Sequence, residues 1–129
     1  MKKALLLFVG AIMMVCAVSC TKATTYEVYN GTSDISLYEV KVYEYSGSTM
    51  VNYSDVGYLS VNSSSGTIEA AKGADQVQIT FRLGYGSDIY TTAEYFSLIK
   101  GKHTMIRIDD YTQVYGGYKG AKTLEKVVK

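Results

Sequence analysis

The chain has a single histidine, His103, the side chain best suited to proton transfer near neutral pH. A nucleophile, a base and an orienting carboxylate can be picked out as Ser97, His103 and Asp109. Such a triad is defined by geometry and not by the presence of the three residue types. Asp109 lies six residues beyond His103 on one expected strand, about 20 Å when extended. That is too far for a hydrogen bond. The spacing therefore predicts a solvated turn histidine beside Lys100-Gly101-Lys102, with no catalytic residue.

Two further groupings invite chemistry and fail on spacing. Asp109-Asp110 offers paired carboxylates, but adjacent strand residues point to opposite faces. These two are expected to end a strand and start a turn by accepting hydrogen bonds from nearby backbone N–H groups. Calcium needs six or more oxygens, zinc a Cys/His cluster, and the chain supplies neither. No metal and no cofactor are expected. Gly116-Gly117-Tyr118-Lys119-Gly120-Ala121-Lys122-Thr123 resembles a phosphate loop, but Ala121 separates glycine from lysine and a parallel α/β setting is missing.

Cys20 is a different matter. Lys2 and Lys3 precede a 15-residue uncharged stretch, Ala4 to Val18, whose end runs into Ser19-Cys20 to give Ala17-Val18-Ser19-Cys20. The apolar run is short of the roughly 20 residues that span a bilayer and fits a cleavable signal. It resembles a bacterial lipoprotein signal peptide with its lipobox, although Ala17 stands where leucine is usual. That resemblance implies cleavage after residue 19, acylation of Cys20, and attachment to membrane lipid through it. An ordinary secretory signal cut nearby is the other reading. Cys16 would be discarded in either case, so an acylated Cys20 leaves no thiol for a disulfide. Residues 20–25 comprise the lipidated cysteine and a short polar tether, Thr21–Thr25, that reaches roughly 17 Å at most. No acidic cluster resembling a surface-export signal follows the cysteine, which favours a periplasm-facing position at the outer membrane.

The remainder must be a scaffold of strands. The chain carries 13 basic and 12 acidic residues, and losing Lys2 and Lys3 leaves it near neutrality. That excludes the concentrated basic surface of a nucleic-acid-binding protein. Thirteen tyrosines, no tryptophan and no proline favour strands joined by Gly, Asn, Asp and Ser turns. Strands are expected at Tyr26–Tyr29, Ile35–Tyr45, Val56–Val61, Thr67–Ala71 and Gln76–Leu83. In the second, Tyr38, Val40 and Val42 should share one face. A hairpin of Tyr95–Ile99 with Thr104–Asp109 and a short strand at Tyr111–Tyr115 complete the set. The clearest is Gln76–Leu83, where Val77, Ile79, Phe81 and Leu83 alternate with polar residues. Seven or eight strands with uneven lengths point to an all-β, open antiparallel sandwich over residues 26–115. Residues 116–129 read as a separate lysine-rich tail that frays or forms a turn or two of helix.

Tyr26, Tyr38 and Tyr43 are expected in or around the core. Tyr85, Tyr90, Tyr115 and Tyr118 fall in or near loops, where tyrosine gives much contact area for little lost entropy and suits a recognition surface. A carbohydrate platform would more typically include tryptophan, and scattered half-buried strand tyrosines are the other reading.

Several of these stretches carry a family likeness. They are Tyr29-Asn30-Gly31, Ile35–Tyr45, Asp55-Val56-Gly57-Tyr58-Leu59, Val77–Phe81, and Ile106–Val114 around Ile108-Asp109-Asp110-Tyr111-Thr112. Over residues 26–114 the chain resembles small Bacteroides-type lipoproteins with immunoglobulin-like β-sandwich domains of unknown function. The resemblance implies an immunoglobulin-like fold and an envelope location, and transfers no catalytic residue. The resulting expectation is a non-enzymatic, lipid-anchored envelope protein acting as a binding or structural module. A small periplasmic inhibitor or accessory subunit of a larger envelope enzyme remains as the alternative.

Overall fold

The structure is a computed structural model that describes residues 22–116 and 120–128. Ten strands follow one another: β1 (Thr25–Asn30), β2 (Leu37–Ser46), β3 (Thr49–Leu59), β4 (Ile68–Glu69), β5 (Gln76–Arg82), β6 (Ile89–Thr92), β7 (Phe96–Ser97), β8 (His103–Ile108), β9 (Gln113–Gly116) and β10 (Lys122–Thr123). One helical turn, α1 (Leu124–Val127), closes the described chain.

Two sheets pack face to face, as the sequence leads one to expect of an all-β sandwich. The smaller has the order β4-β1-β8, and the larger runs β10-β9-β6-β5-β2-β3 with β7 attached to β5. Pairing is antiparallel throughout except between β1 and β8, which run parallel in register from Thr25↔His103 to Asn30↔Ile108. Period-two alternation builds the core. In β5, Val77, Ile79 and Phe81 are buried while Gln76, Gln78, Thr80 and Arg82 are half-buried on the outer face. Tyr26, Val28, Ile106 and Ile108 meet them from the small sheet, and Leu37, Val40 and Val42 join from β2.

Asn30 ends β1 as a buried lock more than as a turn residue. Its Nδ2 donates to the carbonyls of Ile35 at 2.8 Å and Leu59 at 3.0 Å, and its Oδ1 accepts from Thr32 N at 3.0 Å. Every polar atom of this amide is thereby satisfied inside the core.

Where the chain enters, Thr24 is already tied into the domain. Its Oγ1 accepts from Gly101 N at 2.9 Å, and its carbonyl from Ala70 N at 2.9 Å. Thr24 and Thr25 therefore already belong to the domain, and Cys20 lies outside the described residues.

Three expectations are corrected. Tyr95–Ile99 and Thr104–Asp109 do not form a hairpin. β7 pairs with β5, and β8 pairs with β1. The turn at Gly101 (φ +73°) carries the chain from one sheet to the other. Residues on both sides of that turn face the same core, so their apolar pattern is satisfied by either arrangement.

In β2, Tyr38 does not share a face with Val40 and Val42. The register slips between Leu37 and Val40, where Glu39 takes φ +50°. This bulge adds one residue, so that Leu37 and Val40 both face inward and Tyr38 faces out.

The tail is not separate either. β10 pairs with β9 (Lys122↔Val114, Thr123↔Gln113), and Leu124 N donates to Thr112 O at 2.9 Å. Leu124 is fully buried, which contributes roughly 1.5–3 kcal/mol.

Candidate functional site

In β2 the core face carries Val42 and Glu44, so Tyr43 and Tyr45 must project from the outer face of the large sheet. Cross-strand pairing extends the aromatic surface. Tyr43 lies opposite Tyr53 of β3, with the rings stacked at 5.9 Å between centroids. Tyr45 meets Tyr95 edge-on at 5.2 Å. Burial, with a further contribution from Tyr95, raises the Tyr45 phenol pKa. At the far end of the sheet the outward Tyr38 sits between Tyr58 at 5.1 Å and Tyr85 at 5.2 Å. Tyr115 joins the same face through its pairing with Thr91. Eight of the thirteen tyrosines thus share one solvent-facing surface. Such contacts hold the rings in place, each pair being worth about 0.5–1.5 kcal/mol beyond area burial.

A hollow of about 140 Å³ opens in this face, lined by Glu39, Lys41, Tyr43, Thr80, Phe81, Arg82 and Ile89. The β2–β5 register builds it by placing Lys41 opposite Thr80 and Tyr38 opposite Arg82. Arg82 Nε lies 3.3 Å from Glu39 Oε2, and Arg82 Nη1 donates to the Ser87 carbonyl. Ser87 is itself held, since its Oγ accepts from Leu83 N at 3.1 Å. The guanidinium is therefore fixed before any ligand arrives. Glu39 is half-exposed and sits on strained backbone; a non-glycine residue at positive φ costs about 1–3 kcal/mol and tends to mark functional positions.

A larger groove of about 580 Å³ adjoins Lys22 and Thr24. Its floor is Ala70, Ala71, Ala74 and Leu98, and it brings no tyrosine to bear.

The residues singled out in the sequence fall elsewhere. Ser97 is on β7 of the large sheet and His103 opens β8 of the small one, with Asp109 beyond the other end of β8. The three are not brought together as a hydrogen-bonded set. His103 is no loose turn residue, however. Its Nδ1 lies 2.9 Å from Thr25 Oγ1 and its Nε2 2.9 Å from Glu27 Oε2, while Ser64 Oγ donates to Glu27 Oε1 at 2.5 Å. The Ser64 hydroxyl and then His103 hold the Glu27 carboxyl below its ordinary pKa. Thr25 and His103 are direct partners across the parallel pair, so the set clamps β1 to β8.

Asp109 and Asp110 behave as turn residues. Asp109 Oδ1 accepts from Tyr111 N at 2.9 Å, and Asp110 Oδ1 from Ser33 N at 3.0 Å. In the glycine-rich stretch, Gly116 ends β9 and Lys122-Thr123 form β10, while residues 117–119 lie outside the described residues. Tyr26 is buried as expected, whereas Tyr38 and Tyr43 belong to the outer surface. Tyr85 is 88% exposed on its loop. Tyr90 turns inward and stacks on Phe81 with ring centroids 6.4 Å apart, and Tyr118 is not described. The hollow had no sequence signal of its own. The alternating Tyr43, Tyr45 and Tyr53 were the available sign of an aromatic face.

No protein-family model matches the sequence, and neither does any curated protein. Among solved structures, the chain is similar to an NMR structure of a protein from Eubacterium rectale. The two share 20% identity with a TM-score of 0.52, over 77% of this chain and 91% of that one. A likeness at this identity shows the fold alone, and the fold is the all-β sandwich described above.

Proposed function

We propose that this protein is a non-enzymatic, lipid-anchored envelope module that recognises a partner through the tyrosine face of its large sheet. The observation that carries the reading is the concentration of eight tyrosines on one exposed surface, seven of them in ring contacts that form three groups. Exposed apolar groups scattered singly need no explanation, whereas several large ones gathered on one face support an interaction surface. Tyrosine also serves recognition well, being large, stiff and polar at its tip. The Lys2-Lys3 start, the uncharged run and Cys20 support an acylated anchor at the bacterial outer membrane, facing the periplasm. Thr24, bonded into the sheet, would keep the domain close to that membrane. An immunoglobulin-like connectivity belongs to the same reading.

The test is site-specific photo-crosslinking in intact envelopes. A photoreactive residue replacing Tyr53 should capture a discrete partner, while one replacing Tyr111, which is exposed elsewhere, should not. Equal capture at both positions, or none at Tyr53, would refute recognition through this face. Capture of a single hydrolase would instead favour the accessory-subunit alternative.

A further inference from the structure

We infer that the hollow between Glu39, Lys41, Thr80 and Arg82 is a subsite for one ring of a neutral polyhydroxylated ligand, a sugar residue of a glycan laid across the tyrosine face. The inference rests on reading that face as a recognition surface and names what it takes.

Size is the first argument. Pockets for drug-sized ligands run roughly 300–1,000 Å³, and this hollow is about 140 Å³. It suits a single ring, with the rest of the ligand spread over the flat aromatic surface beside it. The lining chemistry is the second. Lys41 and Arg82 offer donors only, Glu39 offers acceptors only, and Thr80 offers both. A sugar hydroxyl both donates and accepts, so adjacent hydroxyls can satisfy a carboxylate and a cation at once. The apolar core of a protein interface would bury the Lys41 ammonium with nothing polar to receive it, and such interfaces are depleted of charge at their centre.

Charge balance is the third argument. Lys41 faces Asp55 across β2–β3, and Arg82 pairs with Glu39. Within the hollow Arg82 and Glu39 neutralise each other, and Lys41 sits opposite a carboxylate in the β2–β3 register, so the remaining charge is too small to select an ionic ligand over a neutral one. Finally, Glu39 keeps a positive φ where glycine would be easier, and its bulge is what turns Tyr38 outward beside the hollow.

The experiment is calorimetric titration of the full chain in a zwitterionic detergent without a sugar headgroup. The probes are cellohexaose, maltohexaose, xylohexaose and chitohexaose, each alone. Saturable binding of at least one is expected. Losing hydrogen bonds to charged groups should weaken it more than about tenfold in Lys41→Met and in Glu39→Gly. Tyr111→Ala should leave it unchanged. Glu39→Gly carries a second readout, because relief of the positive φ should raise the melting temperature while binding is lost. Failure of all four sugars to bind would overturn the inference. So would binding that survives both substitutions within twofold. If crosslinking at Tyr53 succeeds while every sugar fails, the recognition face stands and the sugar subsite falls.

Discussion

The hydroxyl of Tyr26 donates to Glu44 Oε2 at 2.6 Å across the interior of the sandwich, joining β1 of one sheet to β2 of the other. Both residues are fully buried, and Glu44 Oε1 accepts from Ala71 N at 2.7 Å. A carboxyl group is thus carried inside a hydrophobic core with each oxygen engaged, as its burial requires. Tyr26→Phe strips one oxygen of its donor and should cost about 1–3 kcal/mol. Urea unfolding of Tyr26→Phe, Glu44→Gln and the double variant would measure the coupling, which strictly additive effects would disprove. Burial, then the Glu44 hydrogen bond and charge, raises the Tyr26 pKa. A folded pKa above the unfolded value means stability that is intact below about pH 10 and declines as pH rises beyond it. The wild-type melting temperature should fall there more steeply than that of Tyr26→Phe.

On the acid side the Glu27 carboxyl provides the opposite sign. Its pKa is lowered in the folded state by Ser64 and then His103. Stability from this group is present above the ordinary carboxylate pKa, roughly 4.3, and is lost as pH falls below it. Glu27→Gln should flatten the melting-temperature profile between about pH 5 and pH 3. An unchanged slope would mean that the clamp with Ser64 and His103 contributes nothing in solution.

The two faces of β5 should respond oppositely to a new charge. Ile79→Asp and Phe81→Asp bury an unpaired carboxylate at a cost of several kcal/mol, against a total stability of about 5–15 kcal/mol. Both should fail to fold by circular dichroism. Gln78→Asp and Thr80→Asp face outward and should retain the native spectrum.

Leu124 anchors the C-terminal segment in the core. Leu124→Ala should lower stability by about 2–5 kcal/mol, and deletion after Tyr115 should lower the melting temperature by at least as much as Leu124→Ala. If deletion leaves melting unchanged, the β9–β10 pairing and the burial of Leu124 do not hold in solution.

Cys20→Ser should release the protein into the soluble fraction and abolish labelling by a fatty-acid probe. One acyl chain gives marginal membrane binding and two or more give a stable anchor. Persistence of the variant in the membrane would point to an uncleaved N-terminal segment.

The sequence made β5 legible because both of its faces obey one rule, apolar inward and polar outward. It hid residues 49–55 of β3 because nearly all of them are exposed, so no alternation betrays the strand. It misplaced Tyr38 because a single inserted residue at Glu39 reverses the face of what precedes it, and aromatic rings fit either side. Leu124 was missed for want of periodic neighbours, since one buried leucine makes no pattern. The candidate site was half visible for the same reasons. Tyr43 and Tyr45 alternate with core residues, but Glu39 and Arg82 meet only through the register of β2 on β5.

The slips in β3 register carry a consequence of their own. Val51 and Val56 each add a residue relative to β2, leaving only Asn52–Asp55 in unbroken register along this outer strand. Amyloid-like stacking favours flat runs of six or seven residues, and bulges are one way an open edge is kept from templating another chain. An open edge strand meets copies of its own chain wherever the protein is concentrated. Two kinks with four residues between them leave that edge too short a regular run to template the next chain.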